Sequence, residues 1–177
     1  DLKGGAEPER QLKKGDTAGC LAVADEHIDD TGNAAAASDF LVTAMTCAED
    51  RAKDEAPRVK ALRERAVARW QQLLADKTAP LSVDDRSDAM ASLRETLDAL
   101  GKKAEAKQIA EAQRALLDET AAKAPTPLAA MTYNWPRAEV YVYLGKPLDL
   151  APDLEKNAKA LPEERARALC QPELRAR

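Results

Sequence analysis

Apolar residues recur every three or four positions along almost the whole sequence, and charged residues fill many of the positions between them. This spacing places the apolar side chains on one face of an α-helix. Alternating runs of β-branched residues, which would indicate strands, are too short to compete with it. The pattern therefore predicts an all-α protein.

Breaks in this periodicity divide the sequence into about eight helices. The predicted helices cover residues 7–14, 17–29, 39–53, 58–76, 83–100, 102–124, 128–144 and 149–161. Ser38 and Ser82 each precede one of them and are predicted as N-caps, because a serine hydroxyl accepts a hydrogen bond from a free amide of the first turn. The connections are short, so neighbouring helices are expected to form antiparallel hairpins.

Glycine marks the helix break in two similar segments. In "YVYLGKPLDLAPDLEKNAKALP", Gly145 lies at the break, Tyr141 lies one turn before it, and Pro162 ends the second helix. In "ASLRETLDALGKKAEAKQIAEAQ", Gly101 and Leu97 hold the matching positions. Alanines in the second helix of this copy permit two helices to approach closely.

This spacing of glycine, large and small residues resembles tetratricopeptide repeats, in which a helix pair recurs every ~34 residues. A partial third copy, "LKKGDTAGCLAVADEHI", has its break at Gly15 and Asp16, whereas residues 38–76 lack a glycine break. A helix pair of this size cannot bury its apolar face alone, so the resemblance implies antiparallel hairpins stacked as a tetratricopeptide-like α-solenoid. Residues 1–177 are interpreted as one helical-repeat domain with a less regular tail, 163–177.

Composition agrees with closely packed amphipathic helices. Hydrophobic residues make up 45% of the chain, mostly as Ala and Leu, while charged residues make up 33% and aromatic residues only 3%. The formal net charge is -4, with Lys and Arg interleaved among Asp and Glu, which disfavours a nucleic-acid partner. No apolar run approaches the ~20 residues that a membrane-spanning helix needs.

The sequence offers little for catalysis or metal binding. His27 is the single histidine, so a Ser-His-Asp or Cys-His site would have to use it. Cys20 lies two turns before His27, but one histidine without a CxxC motif leaves a zinc site short of ligands. No nucleotide-binding or zinc-protease motif occurs. We therefore expect no catalytic residue, no metal and no cofactor.

Cys20 and Cys47 are predicted to lie level with each other in one hairpin. Each is about 13 positions from the turn near Asn33 and Ala34, and residues equally far from the turn face each other in an antiparallel pair. Flanking apolar residues place both cysteines in the seam, with Cα atoms within ~7 Å. That geometry suits a disulfide and suits two packed thiols equally. Cys170, in the tail, is expected to be exposed.

Aromatic residues cluster in "MTYNWPRAEVYVYLG", and such a stripe at helical spacing usually belongs to a core. In tetratricopeptide repeats, however, the first helix of each pair lines a concave groove. The resemblance maps groove positions onto Thr132, Trp135, Glu139 and Tyr143 and, in the preceding copy, onto Asp88, Ala91, Glu95 and Asp98. The acidic and aromatic members of this set are candidate partner-binding residues, and they would suit a basic or extended peptide.

Three segments, "GDTAGCLAVAD", "DDRSDAMASLRETLDALGKKAEAK" and "YVYLGKPLDLAPDLEKNAKALP", together resemble a helical-repeat region found after thioredoxin-like domains in certain exported bacterial proteins. The resemblance spans most of residues 12–162 and implies a periplasmic or otherwise exported protein, in which a bridge between Cys20 and Cys47 would persist. A cytoplasmic location is the alternative. The chain lacks the CxxC and βαβ pattern of the thioredoxin part, so no catalytic residue transfers to it.

Two functional hypotheses follow. We favour a non-catalytic helical-repeat scaffold that binds a protein or peptide partner through its concave face. The alternative is an accessory segment of a periplasmic thiol-disulfide oxidoreductase, with Cys20 and Cys47 as a redox pair. The solvent exposure of the two cysteines distinguishes these hypotheses, because a redox-active cysteine must be accessible and must have thiolate character.

Overall fold

The computed structural model describes residues 7–29 and 34–160, and within these ranges the chain forms nine α-helices and no strand. The helices are α1 (Glu7–Lys13), α2 (Thr17–His27), α3 (Ala34–Arg51), α4 (Ala56–Ala75), α5 (Val83–Ala99), α6 (Lys103–Ala122), α7 (Pro127–Met131), α8 (Asn134–Tyr143) and α9 (Pro147–Lys159). The prediction of an all-α fold is confirmed. The tail 163–177, with Cys170, lies outside the described residues.

The chain divides into two compact units, unit 1 from Asp1 to Ile109 and unit 2 from Ala110 to Arg177. Each unit has an apolar core of its own. Trp70 is fully buried in the core of unit 1, and Leu117 is fully buried in the core of unit 2. The interpretation of residues 1–177 as one helical-repeat domain stays a prediction.

In unit 1, helices α1 to α5 pack against one another in chain order, and α1 and α5 also pack against α3. The first helices of successive hairpins therefore lie side by side, which is the arrangement of stacked helical repeats. Fully buried alanines, such as Ala24, Ala44 and Ala66, lie among these helices and permit their close approach. The expected stacking of hairpins is present in this unit.

Salt bridges join α2 to α4, the second helices of the first two hairpins. The Arg65 guanidinium donates to Asp25 at 2.8 Å and to Asp29 at 2.6 Å. Arg58 donates to the other carboxylate oxygen of Asp25 at 3.1 Å. Each of these partly exposed pairs contributes little stability. Together they link the first hairpin to the second through α2 and α4.

Helices α1, α5 and α8 end in the same kind of turn. The turn contains Gly15 after α1, Gly101 after α5 and Gly145 after α8. Their φ angles are +76°, +76° and +71°, in the left-handed region that favours glycine. At the second break the Lys102 amide donates to the Leu97 carbonyl at 2.9 Å, and equivalent bonds close the other two turns. This is a Schellman motif. The three breaks inferred from sequence are therefore structurally equivalent.

The prediction that Ser38 caps the third helix is wrong. Helix α3 begins at Ala34, one turn earlier, and Ser38 lies inside it with 8% of its surface exposed. Alanine has the highest helix propensity, so the run 34–37 extends the helix ahead of the serine. Ser82 does cap α5, because its hydroxyl accepts from the Asp85 amide at 3.0 Å and its amide donates to the Asp85 carboxylate at 2.9 Å.

The helix predicted over residues 128–144 is instead two helices, α7 and α8, separated by a short turn. Pro136 explains the break, because proline has no amide to donate to the Thr132 carbonyl and its ring clashes with that carbonyl. Pro136 lies in the first turn of α8, where proline is tolerated. Pro57 lies likewise in the first turn of α4, which begins at Ala56, slightly before its predicted start.

In unit 2, α8 and α9 form a hairpin and α7 packs against α9. Arg137 of α8 is 3% exposed, and its guanidinium donates to Asp118 of α6 at 2.8 Å and to Asp153 of α9 at 2.7 Å. Burial lowers the pKa of Arg137, but the hydrogen bonds to both carboxylates outweigh burial and raise that pKa overall. The Tyr141 hydroxyl donates to the second Asp118 oxygen at 2.9 Å. This network ties α6, α8 and α9 together.

We predict that Gly101→Val and Gly145→Val each destabilise the fold by ~1 kcal/mol or more. A Cβ atom at either position would meet no other atom within 4 Å, so the cost arises from the positive φ angle alone. Gly101→Asn is the control, because asparagine tolerates this region better and should cost less. Urea unfolding followed by circular dichroism measures the free energies. Valine variants as stable as the unmodified protein would contradict the assigned helix breaks.

Candidate functional site

An open groove runs along the face of unit 1 where α1, α3 and α5 lie side by side. One part has a volume of about 640 Å³ and lies at the N-terminal ends of α3 and α5. It continues into a second part of about 350 Å³, and Val42, Ser92 and Glu95 line both parts. The two parts therefore form one continuous surface.

This unit 1 groove takes its side chains mainly from two helices. Its lining residues are Glu9 of α1, Ser38, Asp39, Val42, Thr43, Met45, Thr46 and Glu49 of α3, Arg63 of α4, and Asp85, Asp88, Ala91, Ser92, Glu95, Thr96 and Ala99 of α5. Because α3 packs against both α1 and α5, its exposed face forms the middle of the groove.

The unit 1 groove is strongly acidic. Among the described residues that line it, six are acidic (Glu9, Asp39, Glu49, Asp85, Asp88 and Glu95) and one, Arg63, is basic. Within the described part of the chain, neither Asp39 nor Glu49 takes part in an ion pair. A cleft lined by charge of one sign concentrates the field and attracts partners of the opposite sign.

Two of these acids are held in the ionised form by local hydrogen bonds. The hydroxyl and the amide of Ser82 both donate to Asp85 and lower its pKa. The hydrogen bond and positive charge of Lys13 lower the pKa of Glu9. Both carboxylates therefore stay charged at neutral and mildly acidic pH, although Lys13 offsets the charge of Glu9 at 2.6 Å.

Apolar side chains lie in the groove between acidic ones. Val42 is 43% exposed, while Met45 is half-buried against the unit 1 core. Along α3 the order is Asp39, Val42, Met45 and Glu49, and residues three or four apart share one helical face. On α5, the apolar Ala91 likewise lies between the acids Asp88 and Glu95. The groove therefore places apolar side chains between carboxylates on both helices, and the exposed Val42 lies where its two parts meet, beside Ser92 and Glu95.

The candidate residues predicted on α5 divide between the groove and the helix end. Asp88 and Glu95 line the groove, as the tetratricopeptide-like mapping expects. Asp98 is not among the lining residues, and its carboxylate pairs with Lys103 at 3.2 Å beside the Gly101 turn. The role of Asp88, Glu95 and Asp98 in binding a partner stays a prediction.

The candidate residues predicted on α8 belong to unit 2. Trp135 is 75% exposed, and Glu139 and Tyr143 are exposed beside it on the same helical face. Tyr141, by contrast, is 7% exposed and belongs to the unit 2 core. The aromatic stripe therefore divides into a buried side and an exposed side.

Sequence reasoning missed the α3 side of the groove, which Asp39, Val42 and Glu49 form together with Glu9 of α1. Helix α3 ends without a glycine, so it could not be aligned with the other first helices. The available signal was the exposed face itself, because Asp39, Val42, Thr46 and Glu49 recur at intervals of three or four residues along α3.

A disulfide joins Cys20 of α2 to Cys47 of α3. Their Cα atoms are 5.9 Å apart, which confirms the separation predicted from the hairpin register. Both residues are fully buried. Thiol-disulfide exchange requires a thiolate to reach a sulfur atom, so this bond is shielded from exchange in the folded protein. The bond fastens α2 to α3, the helix that forms the middle of the groove.

His27 is half-buried at the end of α2, and its Nε2 atom lies 3.9 Å from Glu26. Across residues 7–29 and 34–160, no three His, Cys, Asp or Glu side chains are grouped so that they could hold a metal ion. None of the helices in those two ranges is both long enough and apolar enough to cross a membrane.

Comparison of the chain with family models, curated proteins and solved structures gave no match. The groove in unit 1 and the buried disulfide are therefore the features from which function is inferred. The exposed face of α8 adds a second, smaller surface in unit 2.

We predict that the double variant Cys20→Ala, Cys47→Ala lowers the free energy of unfolding by about 3 kcal/mol, because the disulfide restricts the unfolded chain. The two cysteines are 27 positions apart. Urea unfolding of both proteins measures the loss.

Because both cysteines are buried, we expect mild reductant to leave the same disulfide intact in the folded protein and to reduce it once urea unfolds the chain. A Cys170→Ala background leaves only the paired cysteines, so any thiol that reacts comes from them. Rapid appearance of thiols without urea would contradict the buried placement.

Proposed function

We propose that the chain is a non-catalytic helical-repeat scaffold that binds a protein or peptide partner through the unit 1 groove. The observation that supports this most is the placement of α1, α3 and α5 side by side, which creates an open groove with acidic margins. Stacked helical repeats commonly use such surfaces for recognition.

The chemistry of the groove favours binding of a protein or peptide over catalysis on a small-molecule substrate. The groove is open along its length, and its carboxylates are distributed on three helices without converging on one point. Catalytic acids and bases would have to lie within hydrogen-bond reach of one reacting group. Spread charge of one sign suits the recognition of a long, oppositely charged surface.

The redox alternative has less support. An accessory segment of a thiol-disulfide oxidoreductase would need a sulfur atom that an attacking thiolate could reach. Cys20 and Cys47 are both fully buried in the seam between α2 and α3. We therefore assign their bond to structural support of the scaffold.

The disulfide also bears on location. Disulfides persist in oxidising compartments such as the periplasm and are rare in the cytosol. The bond between Cys20 and Cys47 therefore supports an exported, periplasmic protein over a cytoplasmic one. This agrees with what the resemblance to exported bacterial proteins implies.

The resemblance to tetratricopeptide repeats extends to the hairpins and their glycine breaks. Gly101 and Gly145 adopt the same turn, and an alanine-rich second helix follows the first of them. Their separation is larger than the ~34 residues of that repeat, because α6 is long and α7 intervenes. We propose a tetratricopeptide-like module with a longer and less regular repeat.

Trp135, Glu139 and Tyr143 are proposed as a second contact surface of the scaffold, located in unit 2. Trp135 in particular is 75% exposed. Large aromatic side chains are enriched among residues that dominate protein interfaces.

Photo-crosslinking tests the scaffold proposal. A photoreactive amino acid replaces Thr46 in the groove, and Ala68 on the exposed side of α4 serves as the matched control. In cells of the source organism, we expect a discrete protein adduct from position 46 and none from position 68. Glu95→Lys in the groove should abolish the adduct, whereas Glu64→Lys on α4 should not.

Equal adducts from both positions, or an adduct that survives Glu95→Lys, would contradict binding through the unit 1 groove. Circular dichroism of each variant shows whether the helices are intact. If a photoreactive amino acid at position 135 gave an adduct and position 46 gave none, the binding function would be assigned to unit 2.

A further inference from the structure

We propose that the unit 1 groove binds an extended segment of its partner with the pattern basic, any residue, apolar, any residue, basic. This inference rests on the scaffold function proposed above and adds the chemistry of the partner. Three features of the groove carry it: its length, the exposed Val42 where its two parts meet, and the spacing of its acids.

The length of the groove fits a short extended peptide. Its lining on α5 runs from Asp85 to Ala99, which at 1.5 Å per residue corresponds to about 21 Å. An extended chain rises about 3.3 Å per residue. The groove therefore accommodates about six residues of an extended segment.

The middle of the groove offers an apolar contact. Val42 is 43% exposed and Met45 is half-buried next to it along α3. An apolar side chain placed on Val42 removes apolar surface of both partners from water, which favours binding. Ala91 on α5 leaves room for this side chain.

The acids flank this apolar contact on both helices. On α3, Asp39 and Glu49 lie about 15 Å apart along the helix axis, and on α5, Asp88 and Glu95 lie about 10 Å apart. Residues i and i+4 of an extended peptide are about 13 Å apart. Two basic residues at that spacing therefore each reach an acid, one on either side of Val42 along the groove.

The alternation of an extended chain fixes the position of the apolar residue. Side chains at i, i+2 and i+4 point to the same face. Basic residues at i and i+4 that face the carboxylates therefore place the residue at i+2 over Val42. An apolar residue at i+1 or i+3 would face away from the groove.

The charge of the groove favours a basic peptide over an acidic peptide or a nucleic acid. Asp39 and Glu49 take part in no ion pair among the described residues, so lysine or arginine of the partner satisfies them without breaking an existing pair. An acidic peptide or a nucleic acid would place further negative charge in the groove, and juxtaposed like charges oppose binding.

Fluorescence anisotropy with four labelled peptides tests the pattern. The probe is SKSLSKS, and the comparisons are SKLSSKS, in which the leucine is moved by one position, SESLSES, in which the charges are reversed, and SKSSSKS, in which the leucine is removed. At low salt, we expect the affinity of the probe to be at least about ten times that of each comparison peptide.

Variants of the protein locate the binding site. Glu49→Gln and Val42→Ser should each weaken probe binding about tenfold, whereas Asp50→Asn should leave it unchanged. Asp50 is an exposed neighbour of Glu49 on α3 that does not line the groove. Val42→Thr keeps the side-chain shape and is used if Val42→Ser disturbs folding.

Equal binding of SKSLSKS and SKLSSKS would overturn the alternating pattern, and equal binding of SESLSES would overturn the choice of a basic partner. Absence of binding by the probe at millimolar concentration would also overturn the proposal. The crosslinking experiment is independent of peptide chemistry. An adduct from position 46 together with failure of the probe would retain the scaffold and reject this partner class.

Discussion

Close packing of helices through alanine is the constraint on which this structure depends. Ala24, Ala44, Ala66 and Ala89 are almost completely buried in the unit 1 core. Because these side chains are small, α3 can pack against α1, α2, α4 and α5 together. Larger residues at these positions would separate the helices. The groove exists because the three first helices are brought side by side in this way.

Two further sets of interactions in unit 1 link α2 to its neighbours. The disulfide between Cys20 and Cys47 fastens α2 to α3 from within the core, while Arg58 and Arg65 connect α2 to α4 through Asp25. The disulfide restricts α3 relative to α2, and the salt bridges restrict α2 relative to α4. For the proposed peptide, a groove held in this way lowers the entropy lost on binding.

Sequence reasoning succeeded at the glycine breaks and failed where helix propensity, a missing amide or the packing of helices overrides the apolar periodicity. The left-handed turn at Gly101 was predictable, because the break and its neighbours lie within a few residues. Ser38 was misplaced because the preceding alanines extend the helix, and the split at Pro136 follows from a missing amide that the periodicity does not register. Asp88 was found through the glycine repeat. Asp39 was missed, because only the packing of α3 between two helices brings it into the groove.

Amide chemical-shift mapping by NMR shows directly whether the unit 1 groove binds a peptide. The uniformly ¹⁵N-labelled protein is titrated with a peptide that carries an apolar residue between two basic ones. We expect the largest shift changes along residues 39–49 of α3 and 88–95 of α5, the two sides of the unit 1 groove. Changes confined to the exposed face of α8 around Trp135, or no changes at saturating peptide, would contradict this expectation.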